Sequence, residues 1–205
     1  MATESFSQRD EQEHILRYFG GKTDGRFLDI GAADGKTFST THALAFMDWY
    51  GICVEPNPHM LVHLLSLYAD RKDILIICAA AVPHEYSETM PSVDMWLTQD
   101  FLASSDPDHV ARWEKQGMKF RLAEVGTWPV GRVGVDYGPD FDMINIDVEG
   151  GNVELLKAMD PDVMKRCKLL CIEHDSMDKD VIAICGQYGL KQIHRTEENL
   201  LLARV

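Results

Sequence analysis

The sequence predicts an open, doubly wound α/β fold built on a mostly parallel sheet with helices on both faces. Three observations predict it. Short apolar runs at residues 26–30, 50–55, 73–82, 141–146 and 169–175 are separated, for the most part, by segments with apolar residues at helical spacing. The first run enters a small-residue turn, Gly31-Ala32-Ala33-Asp34-Gly35, whose glycines let the backbone bend and come close to a ligand. The second and fourth runs lead into the carboxylates Glu55 and Asp147, at the strand exits where sheets of this class bind ligands.

Taken in order, residues 9–19 place Ile15, Leu16, Tyr18 and Phe19 among charges, as a short amphipathic helix ending at Gly20-Gly21 does. Residues 1–25 are read as a helical cap on the sheet edge or the site. After the strand at 26–30, residues 36–46 carry helical spacing and present a helix N-terminus to the turn. The strand at 50–55 is followed by a helix over 58–69. Residues 73–82 then form one continuous apolar strand, covered on both faces, with Ala79 to Val82 bordering a ligand.

Between 84 and 139 the βα rhythm stops, and Ser, Asp, Pro, Gly and aromatic residues dominate. This stretch is read as an insertion over the substrate side of the site. Within it, 106–115 suit a helix, and 119–125 with 131–135 suit a small hairpin. Trp96, Trp113 and Trp128 either stack on a sugar or aromatic acceptor or pack the loop itself. Regularity returns at 141–151, where Asp147 leaves the strand across the switch point from Gly31. Asn152 is a plausible N-cap for a helix over 152–159, and Pro161 opens another. The strand at 169–175 ends in Glu173, His174 and Asp175, at the edge that holds Asp147. A helix over 181–188 and strands at 190–194 and 200–204 close the chain.

The 205 residues suit a single domain, and 45% apolar content is ordinary for a globular protein. A formal charge of −13 argues against a nucleic-acid backbone or an anionic membrane as the main partner. Apolar runs stay below the ~18–20 residues of a membrane span, and the polar start Met1-Ala2-Thr3-Glu4-Ser5 lacks secretory features. A cytoplasmic location is therefore expected. Cys53, Cys78, Cys167, Cys171 and Cys185 lie mostly in apolar elements and are read as reduced packing residues rather than a zinc site.

Three ligands compete for the turn at 31–35. A phosphate loop needs four residues between its first glycine and Gly-Lys-Ser/Thr, and here Gly31 and Gly35-Lys36-Thr37 stand one residue too close. A dinucleotide fingerprint needs glycine where Ala33 stands. S-Adenosylmethionine carries no phosphate but has an ammonium, a sulfonium and a ribose diol. Carboxylates then become assets by charge attraction, Asp29 and Asp34 at the turn and Glu55 on the ribose, about 20 residues on. The cofactor-binding set read from the chain is Asp29, Gly31, Ala32, Asp34, Gly35, Ser39, Glu55, Pro56, Asn57 and Ala81.

The runs Asp29-Ile30-Gly31-Ala32-Ala33-Asp34-Gly35, Glu55-Pro56-Asn57-Pro58 and Ile146-Asp147-Val148-Glu149-Gly150 resemble the FkbM-type methyltransferases. The resemblance covers about residues 26–175, and its last motif is the distinguishing one. It implies a Rossmann-like, seven-stranded Class I sheet closed by an antiparallel hairpin, with the insertion between strands 3 and 4. It further implies transfer of a methyl group to a hydroxyl of a sugar or other small acceptor. Ala33-Asp34 stands where Ala-Asn is more usual, and Gly151 replaces the common aromatic or alanine. For such an acceptor a proton must leave, and Asp147, His174 and Glu173 are the catalytic candidates, His174 as base and a carboxylate orienting its ring. A less favoured variant places Mg²⁺ among Asp147, Glu149, Glu173 and His174. Two rival functions are a non-catalytic S-adenosylmethionine-binding partner subunit and an NAD-dependent oxidoreductase.

Overall fold

The computed structural model describes residues 4–83 and 90–205. Five parallel strands, β1 (Arg26–Ile30), β2 (Tyr50–Val54), β3 (Ile74–Ile77), β7 (Met143–Ile146) and β8 (Leu169–Glu173), join the hairpin of β9 (Lys191–Arg195) and β10 (Asn199–Ala203). They form one seven-stranded sheet in the order β3-β2-β1-β7-β8-β10-β9, in which β10 runs antiparallel to both neighbours. The Rossmann-like, doubly wound class and the closing hairpin expected from the sequence are both present. The strand order reverses between β1 and β7, which puts the switch point at Gly31 and Asp147.

The strands are buried on both faces because side chains alternate across a pleated sheet covered twice. Leu28, Ile30, Ile144, Ile146, Leu170 and Ile172 point into one core, beneath α6 (Asn152–Ala158), α7 (Pro161–Arg166) and α8 (Asp178–Gln187). Phe27, Cys53, Met143, Cys171 and Leu201 point into the other, with Ile15 of α1 (Glu11–Phe19), Leu44 of α2 (His42–Ala45) and Leu64 of α3 (Pro58–Leu67). Each fully buried Leu, Ile or Phe contributes about 1.5–3 kcal/mol. All five cysteine thiols are free; Cys78 is exposed and the other four are buried. Among the described residues no helix is long and apolar enough to cross a membrane.

Four local expectations are corrected. The run 73–82 is not one strand. It leaves the main sheet after Ile77, turns at Cys78-Ala79, and continues as β4 (Ala80–Val82) in a second sheet of order β4-β6-β5. There β6 (Arg121–Pro129) takes β4 in parallel and β5 (Ser92–Leu97) antiparallel. Hydrophobicity alone does not register a bend between two buried strands. Residues 131–135 are likewise not a strand: a 3₁₀ turn, Val130–Arg132, leads into α5 (Val133–Tyr137), burying Val130 and Val133 completely. Their spacing of three suits a helical face, although their β-branched type suggested a strand.

The helix read at 36–46 shrinks to α2. Phe38 takes a left-handed φ of 60°, and Ser39 Oγ accepts from Thr41 N at 3.2 Å and His42 N at 3.0 Å, so helical structure begins after them. Asn152 is not the cap of α6, because Gly151 takes that place. Its amide accepts from Val148 N at 2.9 Å and donates to Glu173 at 2.9 Å and Asp175 at 3.0 Å. The helix read at 106–115 is α4 (Pro107–Glu114), capped by Asp106. Of the insertion, residues 84–89 lie outside the described residues.

Candidate functional site

The site is built around the β1 exit. Gly31 has φ +87°, and a Cβ there would lie 1.6 Å from the Asp147 backbone oxygen. Only glycine lets the β1 turn cross the β7 exit so closely. The amides of Gly31 and Ala32 both donate to Val54 O, at 3.0 and 3.1 Å, which ties the turn to the end of β2. One residue further, Glu55 accepts from Ala33 N at 2.8 Å and from Asn57 N at 2.7 Å. The carboxylate is thus fixed between the first two strand exits.

These exits border a cavity of ≈ 380 Å³, within the ~300–1,000 Å³ of small-molecule sites. Of the residues read as cofactor-binding, Asp29, Gly31, Ala32, Ser39, Glu55, Pro56, Asn57 and Ala81 line it, and so does Asp147. Four other predicted site residues stand elsewhere. Asp34 accepts from Lys36 N and Thr37 N at 2.8 and 2.7 Å and from Thr37 Oγ1 at 2.7 Å, so its carboxylate closes the turn instead of facing the cavity. Gly35 packs on α3, since a Cβ there would meet Leu64 at 2.5 Å. Glu173 lies behind Asp147, held by Asn152. His174 is 5% exposed; its Nδ1 accepts from Ser176 N at 3.1 Å, and its Nε2 is buried with no hydrogen-bond partner among the described residues.

Glu149 is the lining residue that the catalytic reading lacked. It has φ 54°, and Gly150 and Gly151 follow with φ +104° and +90°, so three consecutive left-handed residues turn this carboxylate to the cavity. Its backbone oxygen accepts from Ser104 Oγ at 2.7 Å, and His109 Nδ1 stands 3.7 Å from its carboxylate. Such strain in a non-glycine residue is tolerated where surrounding contacts enforce it, commonly at functional sites. Phe38, also left-handed and 55% exposed, lines the cavity and meets Phe101 with ring centroids 5.7 Å apart. None of Trp96, Trp113 and Trp128 lines it, and Trp128 belongs to the main core.

The electrostatics are one-signed. Among the described residues, five carboxylates line the cavity, Asp29, Glu55, Asp147, Glu149 and Glu154, with no Lys, Arg or His. Burial raises Asp29, against hydrogen bonds from Thr41 Oγ1 at 2.5 Å and Asn145 Nδ2 at 2.9 Å. Burial lifts Glu55 to about 7, against the two amides that favour its ionised form. Burial, then the charges of Glu173 and Asp175, lift Glu149 to about 8. Asp147 is raised well above the carboxylate range by burial and by Glu173 and Glu149, and it shares a hydrogen bond with Glu173. One proton between those two oxygens relieves the repulsion.

These carboxyls hold protons in the folded chain that the unfolded chain releases at an ordinary value near 4.5. The ligand-free protein is therefore expected to lose a few kcal/mol of unfolding free energy as pH rises from about 4.5 to about 8, then to level off. Denaturant melts across that range check this. A stability that rises over the same interval would show that the carboxyls are not held protonated.

The Mg²⁺ set of Asp147, Glu149, Glu173 and His174 does not converge. Among the described residues, the group of three or more His, Cys, Asp or Glu side chains whose ligand atoms come within 4.8 Å of one another is Asp10, His14 and His194, away from the cavity.

The family model described as the methyltransferase FkbM domain matches residues 29–189. No curated protein matches the chain. Among solved structures, the chain resembles a methyltransferase FkbM from Methylobacillus flagellatus KT at 15% identity and a TM-score of 0.51, covering 88% of this chain and 43% of that one. The chain thus spans less than half the length of that relative. A protein from Staphylococcus aureus, provisionally assigned as a caffeoyl-CoA O-methyltransferase, matches at 11% identity and 0.51 over 97% and 85% of the two chains. A precorrin-6y C5,15-methyltransferase from Geobacter metallireducens GS-15 matches at 14% identity and 0.49 over 98% and 90%. At these identities the solved structures speak to the fold alone.

Proposed function

Because the chain belongs to the FkbM methyltransferase domain family, and is on that ground an S-adenosylmethionine-dependent methyltransferase, we propose that it methylates a hydroxyl oxygen of a small acceptor such as a sugar. The observation that carries the reading is the lining of five carboxylates with no basic side chain among the described residues. A pyrophosphate would find no basic side chain among the described lining residues to neutralise it, which disfavours an NAD-dependent oxidoreductase, whereas a cationic nucleoside favours ionisation of these carboxyls and is then attracted by them. The same lining disfavours a nucleic-acid acceptor.

When bound, the cofactor supplies a methyl carbon activated by its sulfonium. The residues of this chain do the rest. Glu55, held by two amides, keeps lone pairs free to accept from ribose hydroxyls. Asp29, similarly braced, adds negative charge beside the β1 turn. Ala79, Ala80 and Ala81 leave a smooth wall for a flat base. Glu149 takes the proton from the acceptor hydroxyl, since a carboxyl near 8 is ionised in useful amounts around neutral pH and gains further ionisation beside a cation. Phe38 and Phe101 at the same cavity offer an apolar surface to the carbon face of the acceptor. His109, 3.7 Å from Glu149, steadies that carboxylate.

Calorimetry with S-adenosylmethionine, followed by methyl transfer to a panel of sugars and alcohols, tests the reading. Glu55→Ala is expected to weaken cofactor binding roughly 10- to 100-fold, from two lost hydrogen bonds to a charged group. Asp34→Ala, which alters the turn but removes no cavity charge, is expected to weaken it less. Wild-type affinity in Glu55→Ala would remove the cofactor assignment. Tight binding without transfer to any acceptor would favour the non-catalytic partner subunit.

A further inference from the structure

Helix α1 and the edge strand β9 meet at a cluster that methyl transfer does not use. His194 Nε2 lies 2.8 Å from Asp10 Oδ1, and His14 Nε2 lies 3.6 Å from Asp10 Oδ2. The two imidazoles stack, with centroids 3.6 Å apart and planes 14° from parallel. Asp10 and His14, four residues apart, project from the same face at the start of α1, while His194 arrives from the closing hairpin. We propose that Asp10, His14 and His194 bind a borderline-soft divalent ion, Zn²⁺ in the first instance, which clips the N-terminal helix to the edge of the sheet.

Three considerations carry this. The donor set, two imidazole nitrogens and one carboxylate oxygen, is the chemistry zinc selects, and three protein ligands leave a fourth tetrahedral position for water. The ligand atoms already lie within 4.8 Å of one another, so a small divergence of the stacked rings brings them onto one ion. Second, the surrounding charge favours a cation. Arg9 is engaged by Glu197 at 2.8 Å and Glu198 at 3.2 Å, and Arg195 by Asp178 at 2.6 Å, so neither guanidinium takes the Asp10 carboxylate. Four carboxylates there face two guanidiniums.

Third, the interface is preassembled. Glu11, beside Asp10, is fully buried and accepts from Thr196 Oγ1 at 2.8 Å and Asn199 Nδ2 at 3.2 Å. Helix and hairpin are therefore already docked, and binding costs little reorganisation. Asn199 and Gln8 also line the cavity, so the ion would brace the cap from behind. The proposal does not rest on methyl transfer, and its outcome leaves that reading untouched.

Titration of the metal-free full chain with ZnCl₂ is expected to show one ion bound, and to raise Tm by about 5 °C at an excess of about a hundredfold over Kd. His14→Gln and His194→Gln, both at partly exposed positions, should each weaken binding by at least about tenfold and cut the Tm increment at the same Zn²⁺ concentration by about half or more. Absence of binding, or binding of undiminished strength in both variants, overturns the proposal. If a variant does not fold, imidazole ¹H–¹⁵N spectra of the wild type decide: Zn²⁺ must shift the His14 and His194 resonances, and shifts confined to other histidines overturn it.

Discussion

Glu149→Gln is expected to lower kcat about 10²- to 10⁴-fold while leaving the Kd for S-adenosylmethionine within about threefold. The amide keeps the volume and the left-handed turn set by Gly150 and Gly151 but has no basic oxygen pair for the departing proton. Because Glu149 is lifted to about 8 mainly by burial, kcat of the wild type should fall on the acid side of a pKa at or below that value. The cofactor's positive charge displaces it downward. His109→Asn should have an intermediate effect, since it loosens the carboxylate without removing it. Unchanged turnover in Glu149→Gln would return the proton to another acceptor, Asp147 being the next carboxylate along the same wall.

Gly31→Ala is expected to cost about 3–5 kcal/mol of stability, near the upper end for single substitutions. The added methyl would sit 1.6 Å from Asp147 O, a backbone atom with no side chain to swing aside, and the residue would have to hold φ +87°. The β1 exit would have to part from the β7 exit, taking Ala33 N from Glu55 and Asp147 N from Ile30 O. Urea melts and cofactor calorimetry should therefore fail together. A variant with wild-type stability would mean that the two exits are not in contact.

Much of this arrangement can be read in the chain itself, for a physical reason that also marks where reading stops. Asp29, Glu55 and Asp147 were recognisable because each stands at or just beyond the end of an apolar run, and the topology of a parallel sheet delivers such positions to one edge. Asp34 obeys the same rule but is followed by Lys36 and Thr37, whose free amides, with the Thr37 hydroxyl, claim its oxygens first. Glu173 and His174 also sit at a strand exit, yet the next residues, Asp175 and Ser176, are left-handed and turn the chain away from the cavity. No residue type announces that turn. The same holds for Phe38 and Glu149, whose positive φ is enforced by tertiary contacts rather than local preference. Of the second sheet the sequence shows the strand at 119–125, most of which lies in β6, but not its partners, for a further reason. Strands β5 and β6 pair antiparallel from Ser92 with Gly126 to Leu97 with Arg121, across the whole stretch 98–120, and hydrophobic alternation does not encode so distant a partner.

The two-residue joint Cys78-Ala79 gives this architecture a mechanical property. Strand β3 belongs to the rigid sheet, strand β4 to the three-stranded sheet beside the cavity, and Ala79 and Ala80 form part of the cavity lining. Floor and side wall are thus consecutive pieces of one polypeptide, coupled without slack. A graft that exchanged the β5–β6 ribbon to admit a different alcohol would inherit its alignment from β4, provided the pairing of Ala80 with Thr127 were kept as the hinge pin.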